Sequence, residues 1–341
     1  MNKNYWINRY NQVEQSANDL TVEYIHQTEE KYRKAMQEID TKINAWYKRF
    51  ADNNGISISD AKKLLNSEEL KELKWKIEDY IKYGKQNAID GLWMKELENA
   101  SAKFHINRLE ALKLDCQQSL EVATGGNVDD VDELIRDAYK NTYYRSCFEI
   151  QKGVGIGFDV GKLNDDYISK LLKKPWNVDD INFSERLWTN KVKLINQLDQ
   201  ELMRMALTGE APDRAIKNIK KVMGSSHFAA MRIVQTEQAY FTTLAQIDSY
   251  KELDVKEFEV VSTLDGITCG KCGSHDGEHF PVSVMQAGVN SPPFHPQCRC
   301  TTCPYFDDMD GYRASRNEKG KTVYEVKSYK EWLEKQGVDD V

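Results

Sequence analysis

The stretch that decides the fold is residues 269–303, CGKCGSHDGEHFPVSVMQAGVNSPPFHPQCRCTTC, which holds five of the seven cysteines and three of the six histidines. Cys269 and Cys272 are separated by two residues, so both sulfur atoms can face one tetrahedral metal ion. A second group of ligand residues follows at 295–303. This spacing predicts a zinc site. Disulfides or free thiols are the alternative; the N-terminal residues lack a secretory signal, so we expect a cytosolic setting that keeps thiols reduced.

The second pair of zinc ligands is left open by spacing. The possible pairs are Cys300 with Cys303, His295 with Cys298, and Cys298 with Cys300. A hydrolytic zinc site usually keeps an open position beside a carboxylate, whereas this cluster is rich in cysteine and offers a full set of four ligands. The composition of the cluster therefore predicts a closed structural site and no catalytic residue. A zinc-dependent enzyme that acts on nucleic acid is the alternative; nearby carboxylates are Asp265, Asp276 and Glu278.

Outside this stretch the sequence is organised for long helices. The first proline is Pro175, and proline interrupts helix interiors, so the first half of the chain can form uninterrupted helices. Apolar residues recur there at steps of three and four, which is the period of one helical face. The stripe consists of Tyr32, Met36, Ile39, Ile43, Trp46 and Phe50. We expect this helix to begin near Leu20 and to end at residues 53–55.

The remaining elements are predicted from periodicity and turn residues. Further helices are expected at 70–81, 93–122, 131–151, from 184, from 212, 226–253 and 329–335. The helical period ends before Phe258, Val260 and Val261, and these aromatic and β-branched residues predict a strand at 258–261. The predicted fold class is mainly α, with long amphipathic helices followed by a small zinc-stabilised α+β module near the C-terminus.

Four ordered motifs stand out in the C-terminal third of the chain. They are Val234-Gln-Thr236-Glu237, Thr263-Leu-Asp265-Gly-Ile-Thr-Cys269-Gly-Lys-Cys272, Asp276-Gly277-Glu-His-Phe280 and Pro293-Phe-His295-Pro296-Gln-Cys298-Arg299-Cys300. This part of the chain resembles the minor head proteins of tailed phages, the MuF-like head morphogenesis group. The resemblance implies that the metal ligands are Cys269, Cys272, His295 and either Cys298 or Cys300. Cys303 stands where that family usually has an apolar residue, so the resemblance does not make it a ligand.

The resemblance also implies a function and a location. Proteins of this group are minor components of the procapsid, associated with the portal vertex and implicated in head assembly and in DNA packaging or ejection. We therefore expect a non-enzymatic structural protein. In the virion we expect it inside the head near the portal, and during assembly we expect it in the host cytoplasm. The portal protein is the expected partner, and the scaffold and major capsid proteins are further candidates.

The resemblance suggests a domain organisation as well. The expected regions are an N-terminal helical region at 1–152, a connection with one short helix at 153–180, a MuF-like head morphogenesis domain at 181–306 and a C-terminal tail at 307–341. Within the domain, Glu237 and Arg299 are predicted to form a bidentate ion pair that fixes the helix against the zinc module.

Contacts with other molecules are predicted from charge and exposed aromatic residues. The net charge of -7 gives no general attraction for DNA, but four basic residues share one helical face. These residues are Arg214, Lys217, Lys220 and Lys221, and they form either a non-specific site for double-stranded DNA or a solvated helix surface. Tyr5, Trp6, Ile7 and Tyr10 either pack within the protein or contact the portal or scaffold. No apolar run reaches the roughly 18 residues that a bilayer span requires, so no membrane contact is expected.

Overall fold

The computed structural model describes residues 3–52, 79, 81–82, 93, 108–155, 157–177, 179–208, 212–306 and 329–338. The described helices are α1 (Lys3–Asp52), α2 (Arg108–Thr124), α3 (Asn127–Val154), α4 (Asp165–Lys173), α5 (Phe183–Thr208), α6 (Pro212–Glu252), α7 (Gly270–His275) and α8 (Tyr329–Gln336). The strands are β1 (Glu257–Val261), β2 (His279–Pro281) and β3 (Thr301–Tyr305), with a 3-10 turn at Val282–Val284. The prediction of a mainly helical protein with a small module of mixed structure is confirmed. No described helix is long and apolar enough to cross a membrane.

The first helix is longer than its predicted extent. α1 begins at Lys3 and not near Leu20, because buried positions recur at steps of three and four before that point as well. These positions are Trp6, Tyr10, Val13 and Ala17. Of the predicted stripe, Tyr32, Met36, Ile39 and Ile43 belong to the hydrophobic core or pack against it. The side chains of Trp46 and Phe50, the predicted stop at residues 53–55 and most of the helices predicted at 70–81 and 93–107 lie outside the described residues.

α6 corrects a second prediction. Separate helices were expected from 212 and at 226–253, but a single helix runs from Pro212 to Glu252. Gly224 and its two following serines do not interrupt the helix, since the apolar period continues through them with Met223, Met231 and Val234 all buried. Proline occupies the first helical position, where its missing N–H group has no intrahelical partner to lose.

The chain divides into two compact units that alternate along the sequence. The first unit comprises Met1–Tyr24, Val131–Phe183 and Arg232–Val341, and the second comprises Ile25–Asp130 and Ser184–Met231. The predicted boundaries of all four regions, 1–152, 153–180, 181–306 and 307–341, stay predictions.

The second unit is held by an apolar core between helices. Buried side chains come from α1, α2, α5 and α6 and include Ile39, Leu120, Leu202 and Met223. One buried charge at the edge of this core is paired: the side chain of Glu121 is only 1% exposed, and its carboxylate lies 2.7 Å from the ammonium nitrogen of Lys191. The ion pair with Lys191 therefore offsets the cost of burying the Glu121 carboxylate beside an apolar core.

The first unit contains the sheet and the five cysteines of residues 269–303. β1 is the central strand of an antiparallel sheet with the order β2-β1-β3, and Phe258 pairs with Phe280 on one side and with Pro304 on the other. A buried polar contact joins α6 to β3, because the amide of Gln246 bonds the hydroxyl groups of Thr301 and Thr302. The small sheet is thus fixed to a long helix by satisfied buried hydrogen bonds.

The N-terminal aromatic residues pack within the first unit. Trp6 is 3% exposed and its ring lies 5.6 Å from that of Phe306, while Tyr10 is fully buried beside Tyr250. Of the two alternatives for these residues, packing within the protein is the one that the structure supports for Trp6 and Tyr10. The predicted connection contains one short helix, α4, whose first turn is capped by the side chain of Asn164.

Candidate metal centre

Two short segments present the candidate metal ligands. Cys269 caps the N-terminus of α7, where its sulfur accepts a hydrogen bond from the backbone N–H of Cys272 at 3.4 Å. His295, Cys298 and Cys300 lie on the irregular segment that leads into β3. These five residues are referred to as the Cys/His cluster. Its two segments correspond to the two ligand groups that the sequence spacing predicts.

The five side chains form two overlapping triads. The ligand atoms of Cys269, Cys272 and His295 all lie within 4.8 Å of one another, and so do those of Cys272, Cys298 and Cys300. Cys272 belongs to both triads: its sulfur is 3.1 Å from Nε2 of His295 and 3.8 Å from the sulfur of Cys298. Sulfur ligands of a tetrahedral zinc ion lie about 3.8 Å apart when each Zn–S bond is about 2.3 Å. The cluster can therefore hold a metal ion, and its donor set suits zinc.

Neighbouring groups fix the orientation of the ligands. Nδ1 of His295 lies 2.8 Å from the carbonyl oxygen of Pro296, which acts as its acceptor and directs the Nε2 lone pair toward Cys272. Ser262 bridges the two segments, because its hydroxyl donates to the carbonyl of Cys272 at 2.7 Å and lies 3.4 Å from the sulfur of Cys300. Hydrogen bonds that orient the ligand side chains in this way are typical of protein metal sites.

The thiols differ in acidity. A hydrogen bond with the Cys300 thiol lowers the pKa of Cys298 to about 5. The same hydrogen bond, together with burial, raises the pKa of Cys300. Burial raises the pKa of Cys272 to about 12, whereas the backbone N–H of Cys272 lowers the pKa of Cys269. Cys298 and Cys269 are thus the thiols that most readily provide a thiolate for a metal ion.

Other residues of the 269–303 stretch have different surroundings. Cys303 is buried on β3 opposite Glu259 and is part of neither triad. Nδ1 of His275 lies 2.7 Å from the carboxylate of Glu278, and Nδ1 of His279 lies 2.9 Å from that of Glu257. Cys303 therefore lies outside the two groups of described residues that could hold a metal ion.

The partner predicted for Arg299 is corrected. Its two terminal nitrogens donate to the carboxylate of Asp265 at 2.6 and 2.8 Å, so the bidentate pair forms with Asp265 rather than with Glu237. Glu237 instead accepts a hydrogen bond from Nε1 of Trp176 at 2.7 Å. The reason is local: Thr263 donates to the carbonyl of Arg299, which places the turn around Asp265 beside the guanidinium group.

Sequence reasoning missed Glu14 and Ser262. Glu14 lies on α1, and burial raises the pKa of its carboxyl group to about 7, with a hydrogen bond from Thr301 and the charge of Cys298 as further influences. No periodic or motif signal could connect it with cysteines that lie so far away in the sequence. Ser262 directly precedes the Thr263 motif, so its proximity to the cluster could have been suspected from its position at the end of β1.

The four predicted DNA-contacting residues are all exposed on α6. They are Arg214, Lys217, Lys220 and Lys221. The ammonium nitrogen of Lys220 is 2.6 Å from the carboxylate of Asp40, which reduces the net positive charge of this face. The structure therefore provides an accessible basic face that is partly neutralised.

Comparison with protein families gives one match. Residues 196–303 match the family described as Phage Mu protein F like protein. No curated protein and no solved structure matches the chain. The matched residues contain α6, β1 and all five members of the Cys/His cluster.

Proposed function

We propose that this protein, whose residues 196–303 match the Phage Mu protein F-like family, is a minor head protein of a tailed phage that acts in head morphogenesis. The single observation that carries the proposal is the family match, because it includes the complete Cys/His cluster. The protein acts in the virion, inside the head near the portal, after assembly in the host cytoplasm. Its main partner is the portal protein, and the scaffold and major capsid proteins are further partners.

The test is the composition of purified procapsids. Mass spectrometry should find this chain in procapsids and mature heads, at a small and fixed number of copies for each portal. Heads assembled without it should differ in DNA content or in their ability to eject DNA. An infected cell that contains abundant protein, with none of it in procapsids or virions, would overturn the proposal.

The cluster is proposed to bind zinc as a structural ion. Four protein ligands saturate a tetrahedral ion, so the metal would connect α7 to the segment before β3 and would supply no reactive position. We assign the ligands as Cys269, Cys272, His295 and Cys298. Cys300 is proposed to remain a thiol, since its S–H group is directed to the hydroxyl oxygen of Ser262 at 3.4 Å.

Metal analysis of matched variants tests this assignment. The wild-type protein purified under reducing conditions should contain one zinc ion, and its cobalt derivative should show the absorption of a tetrahedral site. Cys298→Ser should lose the metal, whereas Cys300→Ser should retain it. Loss of metal in Cys300→Ser with retention in Cys298→Ser would reverse the assignment. Wild-type protein without a tightly held metal would overturn the zinc proposal.

An enzyme that uses the metal is the second candidate, and Glu14 is the observation that favours it. A carboxylate with a pKa near 7 beside a metal site has the acidity that a general base requires. X-ray absorption separates the candidates, because a structural site has four protein ligands and a hydrolytic site includes a water molecule. If the protein cleaves nucleic acid and Glu14→Gln abolishes cleavage with the metal retained, the enzyme is correct and the structural proposal fails.

Double-stranded DNA is a further proposed partner, bound without sequence preference by the basic face of α6. Binding through phosphates weakens steeply as salt rises. Changing Arg214, Lys217, Lys220 and Lys221 to Glu should abolish salt-sensitive retention of duplex DNA. A matched variant with Lys34, Lys170, Lys173 and Lys174 changed to Glu has the same net charge and should retain DNA. Equal loss in both variants would show that only net charge matters.

A further inference from the structure

α6 contacts the turn that carries two of the proposed ligands. The backbone N–H of Gln297 donates to the hydroxyl oxygen of Thr236 at 3.1 Å, and the side-chain amide of Gln297 donates to Oε1 of Gln235 at 2.7 Å. Gln297 lies between His295 and Cys298 in the sequence. Two consecutive residues of the helix thus bind the apex of the metal-binding turn.

The backbone of this turn needs such support. Gln297 has a φ of 58°, in the left-handed region that residues other than glycine seldom adopt. A conformation of this kind persists only where the surrounding structure determines it. The turn is closed on its other side by a hydrogen bond from the backbone N–H of Cys298 to the carbonyl of His295 at 3.2 Å. The contacts with α6 therefore hold the one residue of the turn whose conformation is unfavourable.

Thr236 is itself fixed in position. Its hydroxyl donates to the carbonyl of Arg232 at 2.6 Å, one helical turn earlier, so the oxygen lone pairs face the incoming N–H of Gln297. The next residue, Glu237, is tied to Trp176. The Gln-Thr-Glu motif thus divides its contacts: the first two residues bind the turn, and the third binds a different part of the first unit.

We propose that Thr236, supported by Gln235, is a positioning residue for the metal site: through Gln297 it holds His295 and Cys298 at the spacing that the ion requires. This inference rests on the proposed metal site. Residues that support metal ligands from outside typically change metal affinity about 10- to 100-fold when altered. Within the described part of the chain, the hydroxyl of Thr236 is hydrogen-bonded to Arg232 and Gln297 and to none of the ligand atoms, so its effect reaches the ion through the turn.

The experiment compares zinc affinities by competition with a chromophoric chelator. Thr236→Val keeps the branched shape and removes the hydroxyl, and it should weaken zinc binding about 10-fold. Thr236→Ser keeps the hydroxyl and should restore affinity to near the wild-type value. Thr243→Val is the matched control, because Thr243 makes the same kind of hydrogen bond to the carbonyl of Ala239 on α6. Its affinity should equal that of the wild type.

Cobalt spectra separate positioning from general stability. Thr236→Val should alter the intensity or position of the cobalt absorption bands, which a merely less stable protein with an intact site would not. Wild-type affinity in Thr236→Val, or equal losses in Thr236→Val and Thr243→Val, would overturn the positioning inference while the metal site stands. Wild-type protein that binds neither zinc nor cobalt would overturn the metal site and this inference together.

Discussion

The helical core of the second unit and the Cys/His cluster of the first unit are stabilised in different ways. The helices that build the core range from the 17 residues of α2 to the 50 residues of α1, and their apolar faces pack against one another. Around the cluster, α7 has six residues and β2 has three. Elements this short bury little apolar area of their own, so they are ordered by packing against the apolar core around Tyr10, Tyr250 and Phe258, by hydrogen bonds and by the proposed metal ion.

This difference means that the two regions can be disrupted separately. Apolar packing responds to lost volume, whereas a ligand cluster responds to the loss of one donor atom. Each of the following variants is chosen to affect one region and to leave the other as an internal reference.

The largest effect is expected from Cys272→Ser, because Cys272 is the residue that both triads share. The variant should lose the metal, and the amides of β1, α7 and β3 should lose protection from hydrogen exchange. The helices of the second unit should stay protected. Cys303→Ala is the control, since Cys303 is buried in the same sheet but belongs to neither triad. Full protection of the sheet in metal-free Cys272→Ser would contradict the dependence on metal.

Leu202→Ala tests the helical core of the second unit. Leu202 is fully buried in the core of the second unit, so the cavity should lower the free energy of unfolding by about 2–5 kcal/mol. Zinc content should be unchanged. The neighbouring Met203 is 46% exposed, and Met203→Ala should change stability by no more than about 0.5 kcal/mol. Chemical denaturation and metal analysis of both variants give the comparison, and a loss of zinc in Leu202→Ala would contradict it.

Gly153→Ala adds one methyl group to the apolar core of the first unit. A Cβ atom at Gly153 would lie 2.3 Å from Cη2 of the Trp6 indole, so the ring must move, at a cost of about 1–3 kcal/mol. Gly224→Ala is the control, because among the described residues no atom outside the adjoining backbone of α6 lies within 4 Å of its added Cβ, and α6 should gain about 0.5–1 kcal/mol from it. Thermal unfolding should therefore shift in opposite directions. Equal shifts would show that the contact with Trp6 is looser than described.

The same difference determines how much could be predicted from sequence. The stripe from Tyr32 to Ile43 required only the helical period. The cysteine spacing identified Cys269 and Cys272 but left the second pair open, and only the family resemblance pointed to His295 with Cys298 or Cys300. The partner of Arg299 could not be predicted, because it depends on the conformation of the turn around Asp265, which no periodicity describes. Glu14 was missed for a related reason: only the packing of α1 within the first unit brings it near the cluster. α6 continues through Gly224 and the following serines because the burial of its apolar face outweighs the low helix propensity of these residues.

The smallest effect is expected from acidification, and it concerns His227 in the second unit. Its ring lies 4.8 Å from that of Tyr32, and among the described residues its Nε2 atom has no hydrogen-bond partner. Burial lowers the pKa of His227 below its usual value of about 6.5, against an opposing influence of Glu29. The unfolded chain therefore binds a proton at His227 more readily than the folded protein does. The contribution of the neutral imidazole to stability is fully present above about pH 6.5 and is lost as the pH falls through the lower pKa of the folded protein.

His227→Phe removes this titration and keeps an aromatic ring beside Tyr32. Denaturant unfolding of the wild type and the variant, measured from pH 8 to pH 5, should give curves whose difference is constant above about pH 7 and changes below it. The wild type should lose stability relative to the variant on the acidic side. Parallel curves over the whole range would show that the imidazole is protonated without cost in the folded state. A difference that follows zinc release, on the other hand, would assign the pH dependence to the Cys/His cluster and not to the helical core.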